Sequence, residues 1–98
     1  MNIQAMMKQA QALQRDMLKV KEELDATEFV GESSLVKVTV LGSKKVTKVE
    51  IQDKDNLDTD DLEILEDMIM VALNDAFSKV DAATEKKMGK FGNIPGLF

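Results

Sequence analysis

The chain has 98 residues and a mass of about 10.9 kDa, the size of one domain, and a domain this small buries too little surface to be more than marginal without a partner chain. With no cysteine and no histidine it cannot build a disulfide framework, a thiolate nucleophile, a Cys- or His-ligated metal centre or a histidine general base, so most enzyme classes fall away. Its net charge of −5, from 13 basic and 18 acidic residues, is unfavourable for a polyanion-binding protein only if the charges are evenly mixed.

They are not evenly mixed. Residues 1–21 carry Lys8, Arg15, Lys19 and Lys21 against Asp16, and residues 79–98 carry Lys79, Lys86, Lys87 and Lys90 against Asp81 and Glu85, while acid is concentrated between them. Base at both ends and acid in the middle makes the net charge a poor guide to partners. The longest unbroken apolar run, Met68 to Leu73, is far short of the roughly 20 residues needed to cross a bilayer, and the first residues lack the basic-then-apolar order of a signal peptide. The expectation is a soluble, cytoplasmic protein with no membrane segment.

In chain order, the first segment places Ile3, Met6, Ala10, Leu13, Met17, Val20 and Leu24 at alternating steps of 3 and 4. This heptad seam, with no proline or glycine before Gly31, predicts one helix from Asn2 to Asp25 that packs helix against helix as in a coiled coil. Such a helix is about 36 Å long at ~1.5 Å per residue, against about 33 Å for the diameter of a compact globule of this length, so it protrudes or pairs.

From Thr27 the period changes to two, with β-branched residues and glycine breaks, and predicts three strands over 27–32, 35–41 and 44–51 within a sheet segment of 27–52. A two-residue turn at Gly42-Ser43 pairs Leu41 with Lys44 and puts Val36, Val38, Val40, Thr47, Val49 and Ile51 on one face with Lys45. Leu35, Lys37, Thr39, Val46, Lys48 and Glu50 take the other face. That register sets Lys37 opposite Lys48, a destabilising like-charge pair unless Glu50, water or an anion offsets it.

Asp53 to Asp67 holds eight acids and one lysine but lacks the spacing of a calcium loop, since the fifth and sixth positions from Asp53 are Leu57 and Asp58. Helix initiation explains it better: Asp58 is the expected N-cap, and Asp60, Asp61 and Glu63 lie in the first turn, where the helix dipole favours negative charge. The second helix is predicted over 58–88, cap included, ending at Gly89. Leu62, Leu65, Ile69, Ala72, Leu73, Ala76, Phe77, Val80 and Ala83 make one apolar face, and Ile64, Met68 and Val71 add a second stripe in the first half only. The tail, 89–98, is expected to be flexible unless Ile94, Leu97 and Phe98 dock somewhere.

Connectivity turns the charge asymmetry into geometry. The first helix enters the sheet at its C-terminal end and the second leaves it at its N-terminal end, so packed helices must be antiparallel, with the basic start of one beside the basic end of the other. Lys8, Arg15 and Lys19 fall at steps of 7 and 4 on the face away from the seam, and Lys79, Lys86 and Lys90 repeat those steps if the second helix continues past Gly89. Two such basic tips related by a two-fold can straddle a phosphate backbone.

Met7-Lys8-Gln9-Ala10-Gln11, Gly31-Glu32-Ser33, Leu35-Val36-Lys37-Val38-Thr39-Val40, Gly42, Val49-Glu50-Ile51, Leu65-Glu66-Asp67-Met68, Ala72-Leu73-Asn74-Asp75-Ala76, Lys86-Lys87-Met88 and the Pro95-Gly96-Leu97-Phe98 ending together resemble the YbaB/EbfC family of bacterial nucleoid-associated proteins. The ordered set spans nearly the whole chain, 1–98, as a single domain. The resemblance implies an α+β protomer of order α-β-β-β-α, with a three-stranded antiparallel sheet and two long helices. It further implies an intertwined homodimer with projecting helices, and binding of double-stranded DNA in nucleoid organisation or gene regulation.

The expected contacts are phosphates, held by Lys8, Arg15, Lys19, Lys79, Lys86, Lys87 and Lys90, with weak sequence readout because phosphate contacts position a protein without reading bases. Lys37, Lys44, Lys45 and Lys48 form the fallback surface. No cofactor, metal or small-molecule substrate is expected. An enzyme is disfavoured because Ser33, Ser34, Ser43 and Ser78 have no histidine to activate them, and the Asp60 and Glu63 pair is indistinguishable from helix capping. The alternative function is a dimeric protein-interaction module without direct DNA binding.

Overall fold

The computed structural model describes residues 2–91. Asn2 caps the first helix, its Oδ1 accepting from the backbone N–H of Gln4 at 3.1 Å and of Ala5 at 3.4 Å, and α1 then runs Ile3–Asp25. The chain turns at Ala26 and enters β1 (Glu28–Ser33), β2 (Val36–Leu41) and β3 (Val46–Ile51). These form an antiparallel sheet in the order β1-β2-β3. After a short 3₁₀ turn at Lys54–Asn56, a second at Thr59–Asp61 leads into α2 (Leu62–Met88). Asp58 caps that lead-in: its Oδ1 accepts from the N–H of Asp60 at 2.8 Å, and the Asp61 carboxylate accepts from the N–H of Asp58 at 3.0 Å. The α-β-β-β-α order is the expected one.

The hairpin register differs from the expected one. Leu41 pairs with Lys45 rather than Lys44, because the loop has three residues and Lys44 takes the left-handed conformation, φ 69°. A bulge beside Thr39 and Val40 adds a further slip, so Lys37 faces Glu50 and Lys48 faces Thr39. Loops of this kind close a hairpin with a left-handed third residue, and here the slip replaces a like-charge opposition by an opposite-charge one. Lys48 then pairs with Glu50 at 2.9 Å along the polar face. Because the total slip is two residues, Val49 and Ile51 keep the face expected for them. Val46 joins that face opposite Val40, and Thr47 moves into the bulge, where its hydroxyl donates to the Thr39 carbonyl at 3.2 Å.

α2 lies across β1 and β2. Val36, Val38 and Val40 from the sheet and Ala72, Ala76 and Val80 from the helix are fully buried against one another, each valine contributing roughly 1.5 to 3 kcal/mol. Small residues let the helix come close. A Cβ on Gly31 would run into the backbone carbonyl of Ala72 and the backbone nitrogen of Ala76. Beside this contact α2 also closes the outer edge of β1. The Asp75 carboxylate accepts from the N–H of Glu32 at 3.1 Å, and the Lys79 ammonium donates to the Val30 carbonyl at 2.7 Å.

A second cluster joins Met17 and Leu24 of α1 to Met88 of α2, with Val20, Ala83, Phe29 and Phe91 around it. The helices are antiparallel here, as the connectivity requires, but they overlap only through the last turns of each. Leu24 abuts Gly42 and the Val80 to Met88 stretch, while the start of α2, at Asp61 and Ile64, lies beside Leu35 and Asp53 at the other end of the β2-β3 hairpin. The rest of α1 projects, and the molecule measures 71 × 18 × 16 Å with a radius of gyration of 19.5 Å, against about 13 Å for a compact chain of this length. The expected flexible tail is described only to Phe91, where Gly89–Phe91 form a 3₁₀ turn. Ile94, Leu97 and Phe98 lie outside the described residues.

Candidate nucleic-acid interface

The seven candidate cations fall into three groups. Lys8 stands on the projecting half of α1, nine residues before Met17 and so about 13 Å beyond the helix-helix contact. Arg15 and Lys19 share its stripe lower on the same helix, at the level where Met88 and the Gly89–Phe91 turn pack. Lys86 and Lys87 sit in the last turn of α2, where the helix dipole favours positive charge, and Lys90 follows with its ammonium 5.0 Å from the centre of the Phe91 ring. The basic end of α2 therefore lies beside the middle of α1, not beside its start. The short overlap of the helices is the cause.

Lys79 is set apart from the others. It is fixed against the β1 edge by the Val30 carbonyl and pairs with Asp75 at 3.3 Å. Asp75 in turn has its carboxyl held below the usual carboxylate value, first by the Glu32 N–H and then by the Lys79 ammonium. The step of 7 from Lys79 to Lys86 correctly gives a shared helix stripe, but α2 turns α-helical geometry over to a 3₁₀ turn at Gly89, and the sheet occupies the lower end of that stripe. Nothing in the spacing signals that β1's open edge lies within reach of Lys79.

Among the described residues, Lys8, Arg15, Lys19, Lys86, Lys87 and Lys90 make no ion pair, whereas Lys21 pairs with Asp25 and Lys44 with Asp81, both at 3.0 Å. Of the fallback set, Lys48 is also occupied, and the hydrogen bond and charge of Glu50 raise its pKa. Glu50 is correspondingly lowered, chiefly by Lys48. Lys37, Lys45 and Lys54 make no ion pair either, so among the described residues most of the unpaired cations, but not all, stand on α1 and at the C-terminal end of α2. The first turn of α1 contains no acid to offset them.

Apolar surface is left open as well. On α1, Ile3 is 71 % exposed, Met6 51 % and Leu13 47 %, although all belong to the heptad seam; on β3, Val46 and Val49 are 41 % and 46 % exposed. Ile64 and Val71 of the second stripe on α2 are also exposed. The seam anticipates the first of these surfaces. The second is hidden from sequence reasoning by the slipped register, since a two-residue turn puts Val46 on the wet face.

Comparison with known proteins gives one consistent picture. The family model described as the YbaB/EbfC DNA-binding family matches residues 1–94. A protein named "Nucleoid-associated protein" from Ligilactobacillus salivarius (strain UCC118) is 45 % identical over 100 residues, covering 99 % of this chain and 95 % of that one. "Nucleoid-associated protein str1598" from Streptococcus thermophilus (strain CNRZ 1066) is 49 % identical over 98 residues, covering 97 % of this chain and 98 % of that one. Among solved structures, an uncharacterized protein from Helicobacter pylori superposes with a TM-score of 0.71 at 19 % identity, covering 88 % of this chain and 91 % of its own. That likeness supports the fold.

Proposed function

Because the chain belongs to the YbaB/EbfC DNA-binding family, whose relatives here carry the name nucleoid-associated protein, we propose that it binds double-stranded DNA as an intertwined homodimer and acts at the nucleoid, within the cytoplasm. Phosphates are held by Lys8, Arg15, Lys19, Lys86, Lys87 and Lys90, while Lys79 fastens α2 to the sheet. The observation that carries this reading is the segregation of charge on an elongated body. Six cations without ion pairs among the described residues stand on α1 and at the end of α2, away from the acidic stretch 53–67. Such cations attract a phosphate backbone and release its counterions without reading base sequence. Organising the chromosome needs no more than that, and regulation of particular genes would follow from where the protein accumulates.

The dimer is supported by the open apolar surfaces on α1, β3 and α2, which exceed the scattered single exposures of a monomer. The test is a gel-shift titration on random duplex at two salt concentrations, with light scattering for mass. If about six phosphates are neutralised per dimer, log K falls against log salt with a slope of about −5. A slope near zero removes the phosphate mechanism. A second reading, an interaction module that docks on another protein, is favoured by the same open seam at Ile3, Met6 and Leu13; it predicts no shift of DNA at low salt and a stable protein complex in a pull-down.

A further inference from the structure

We propose that the β2-β3 loop, Gly42-Ser43-Lys44, is a socket that aims α1, and that Gly42 is its positioning residue: the side chain it lacks sets the angle at which Lys8 and Arg15 meet a phosphate backbone. The inference rests on the DNA-binding reading and deepens it by assigning a residue that touches no phosphate.

α1 is held to the body near its C-terminal end. Met17, Val20 and Leu24 join the cluster that contains Met88 and Phe91, and the half before Met17 projects. The direction of the projecting half therefore comes from a short base.

The loop closes that base. The last four carbonyls of a helix lack partners within it, and here all four are taken. Glu22 accepts from the N–H of Ala26 at 3.2 Å, Glu23 from the Thr27 hydroxyl at 2.7 Å, Leu24 from the N–H of Thr27 at 3.1 Å and Asp25 from the N–H of Ser43 at 3.3 Å. The Gly42 N–H donates to the Thr27 carbonyl at 2.9 Å. The loop is braced in turn: the Lys44 N–H donates to the Leu41 carbonyl at 2.8 Å, and the Lys44 ammonium reaches Asp81 of α2 at 3.0 Å. Three elements thus meet around one cleft, lined in part by Leu24, Gly42, Lys44, Val80, Asp81 and Met88.

At Gly42 the approach is closest. A Cβ there meets the backbone oxygen and carbon of Leu24 and the backbone nitrogen of Asp25, atoms that no rotamer change moves aside. The φ of Gly42 lies outside the left-handed region, so its own backbone does not require glycine; the nearness of α1 does. Gly31 differs, because a side chain there strikes α2. A side chain at Gly42 pushes α1 instead and leaves the packing of α2 on the sheet in place.

The base acts as a lever. Restoring ordinary contact requires Leu24 to retreat by roughly 1 to 2 Å. Met17 lies about 10 Å along the helix from Leu24 and Lys8 about 13 Å further on, so a tilt about the Met17 contact swings Lys8 by about 2 Å the opposite way. In a symmetric dimer both prongs swing, which changes the spacing at which their cations meet phosphates.

Because the chain contains no cysteine, spin labels report this angle directly. Q9C is paired in turn with S78C and with Q52C, all three positions being exposed, and labelled chains are diluted into unlabelled ones so that distances within a protomer are read. G42V is expected to move at least one mean distance by more than about 1 Å, with G42A intermediate and with far-UV circular dichroism and mass by light scattering unchanged. It should weaken binding to random duplex about threefold or more, yet change affinity less than twofold in a chain that already carries K8E and R15E, since residues acting through one contact are not additive. Unchanged distances, unchanged affinity, or an equal loss in both backgrounds would each overturn the proposal. If G42V does not fold, G42A is judged by the same measures, and loss of the fold in G42A as well would make Gly42 a core residue and overturn it too. A wild-type chain that fails to shift duplex at low salt removes the DNA-binding reading and this proposal together, whereas a wild-type chain that shifts duplex beside insensitive Gly42 variants removes this proposal alone.

Discussion

Gly31 is the residue on which the main packing contact depends. It stands in β1 under the small residues Ala72 and Ala76, and any side chain there meets backbone atoms of α2 that cannot step aside singly. The helix would have to lift from the sheet, opening the contact between Ala72, Ala76 and Val80 on one side and Val36, Val38 and Val40 on the other. Gly31→Val is therefore expected to lower stability by about 1 to 3 kcal/mol or more, read as a lower urea midpoint. An unchanged midpoint would mean that α2 does not approach β1 this closely. The sequence marks Gly31 as a break in a period-two segment. It cannot say that a helix more than forty residues later needs the missing side chain.

At the scale of elements, the helices and strands were legible because each buries one face, and a buried face imposes its period on the residues. Register was not legible in the same way. Gly42-Ser43 has the composition of a two-residue turn, but the third loop position falls to Lys44, a residue with no preference for φ 69°, and the bulge at Thr47 leaves no compositional trace. The link between α2 and β1 is likewise tertiary. The Asp75 carboxyl is held below its ordinary value of 3.8, so it binds fewer protons folded than unfolded as pH falls through that region. Its stabilising contribution is complete above the unfolded value and is lost as pH drops through the lower folded value. Asp75→Asn should accordingly flatten the loss of urea resistance between about pH 5 and pH 2. The same acid limb in both proteins would show that the carboxylate is not linked to folding. Edge strands are the usual place for unwanted strand addition, and this clamp leaves β3 as the one edge not closed in this way.

Across the whole molecule, the division into an acidic body and basic prongs was legible from the charge count by segment, and the family resemblance gave it a fold. How far the prongs extend was not, because the overlap of the helices depends on where Leu24 meets Gly42. The double change Lys8→Glu and Arg15→Glu reverses charge on a part of α1 that makes no ion pair among the described residues and lies opposite the apolar seam. It should weaken DNA binding about tenfold or more and make the salt slope shallower by about one for each phosphate that is no longer neutralised, while mass by light scattering stays the same. Unchanged affinity would move the phosphate-binding surface to another face. The 71 Å length carries a separate consequence for how such proteins are weighed. A rod sweeps out more solvent than a sphere of equal mass, so it meets more friction and passes through a gel column ahead of globular standards. Elution volume will therefore overcount chains for this protein and for every variant that keeps α1 extended. Stoichiometry has to come from scattered intensity, whose dependence on shape vanishes for particles this much smaller than the wavelength of light.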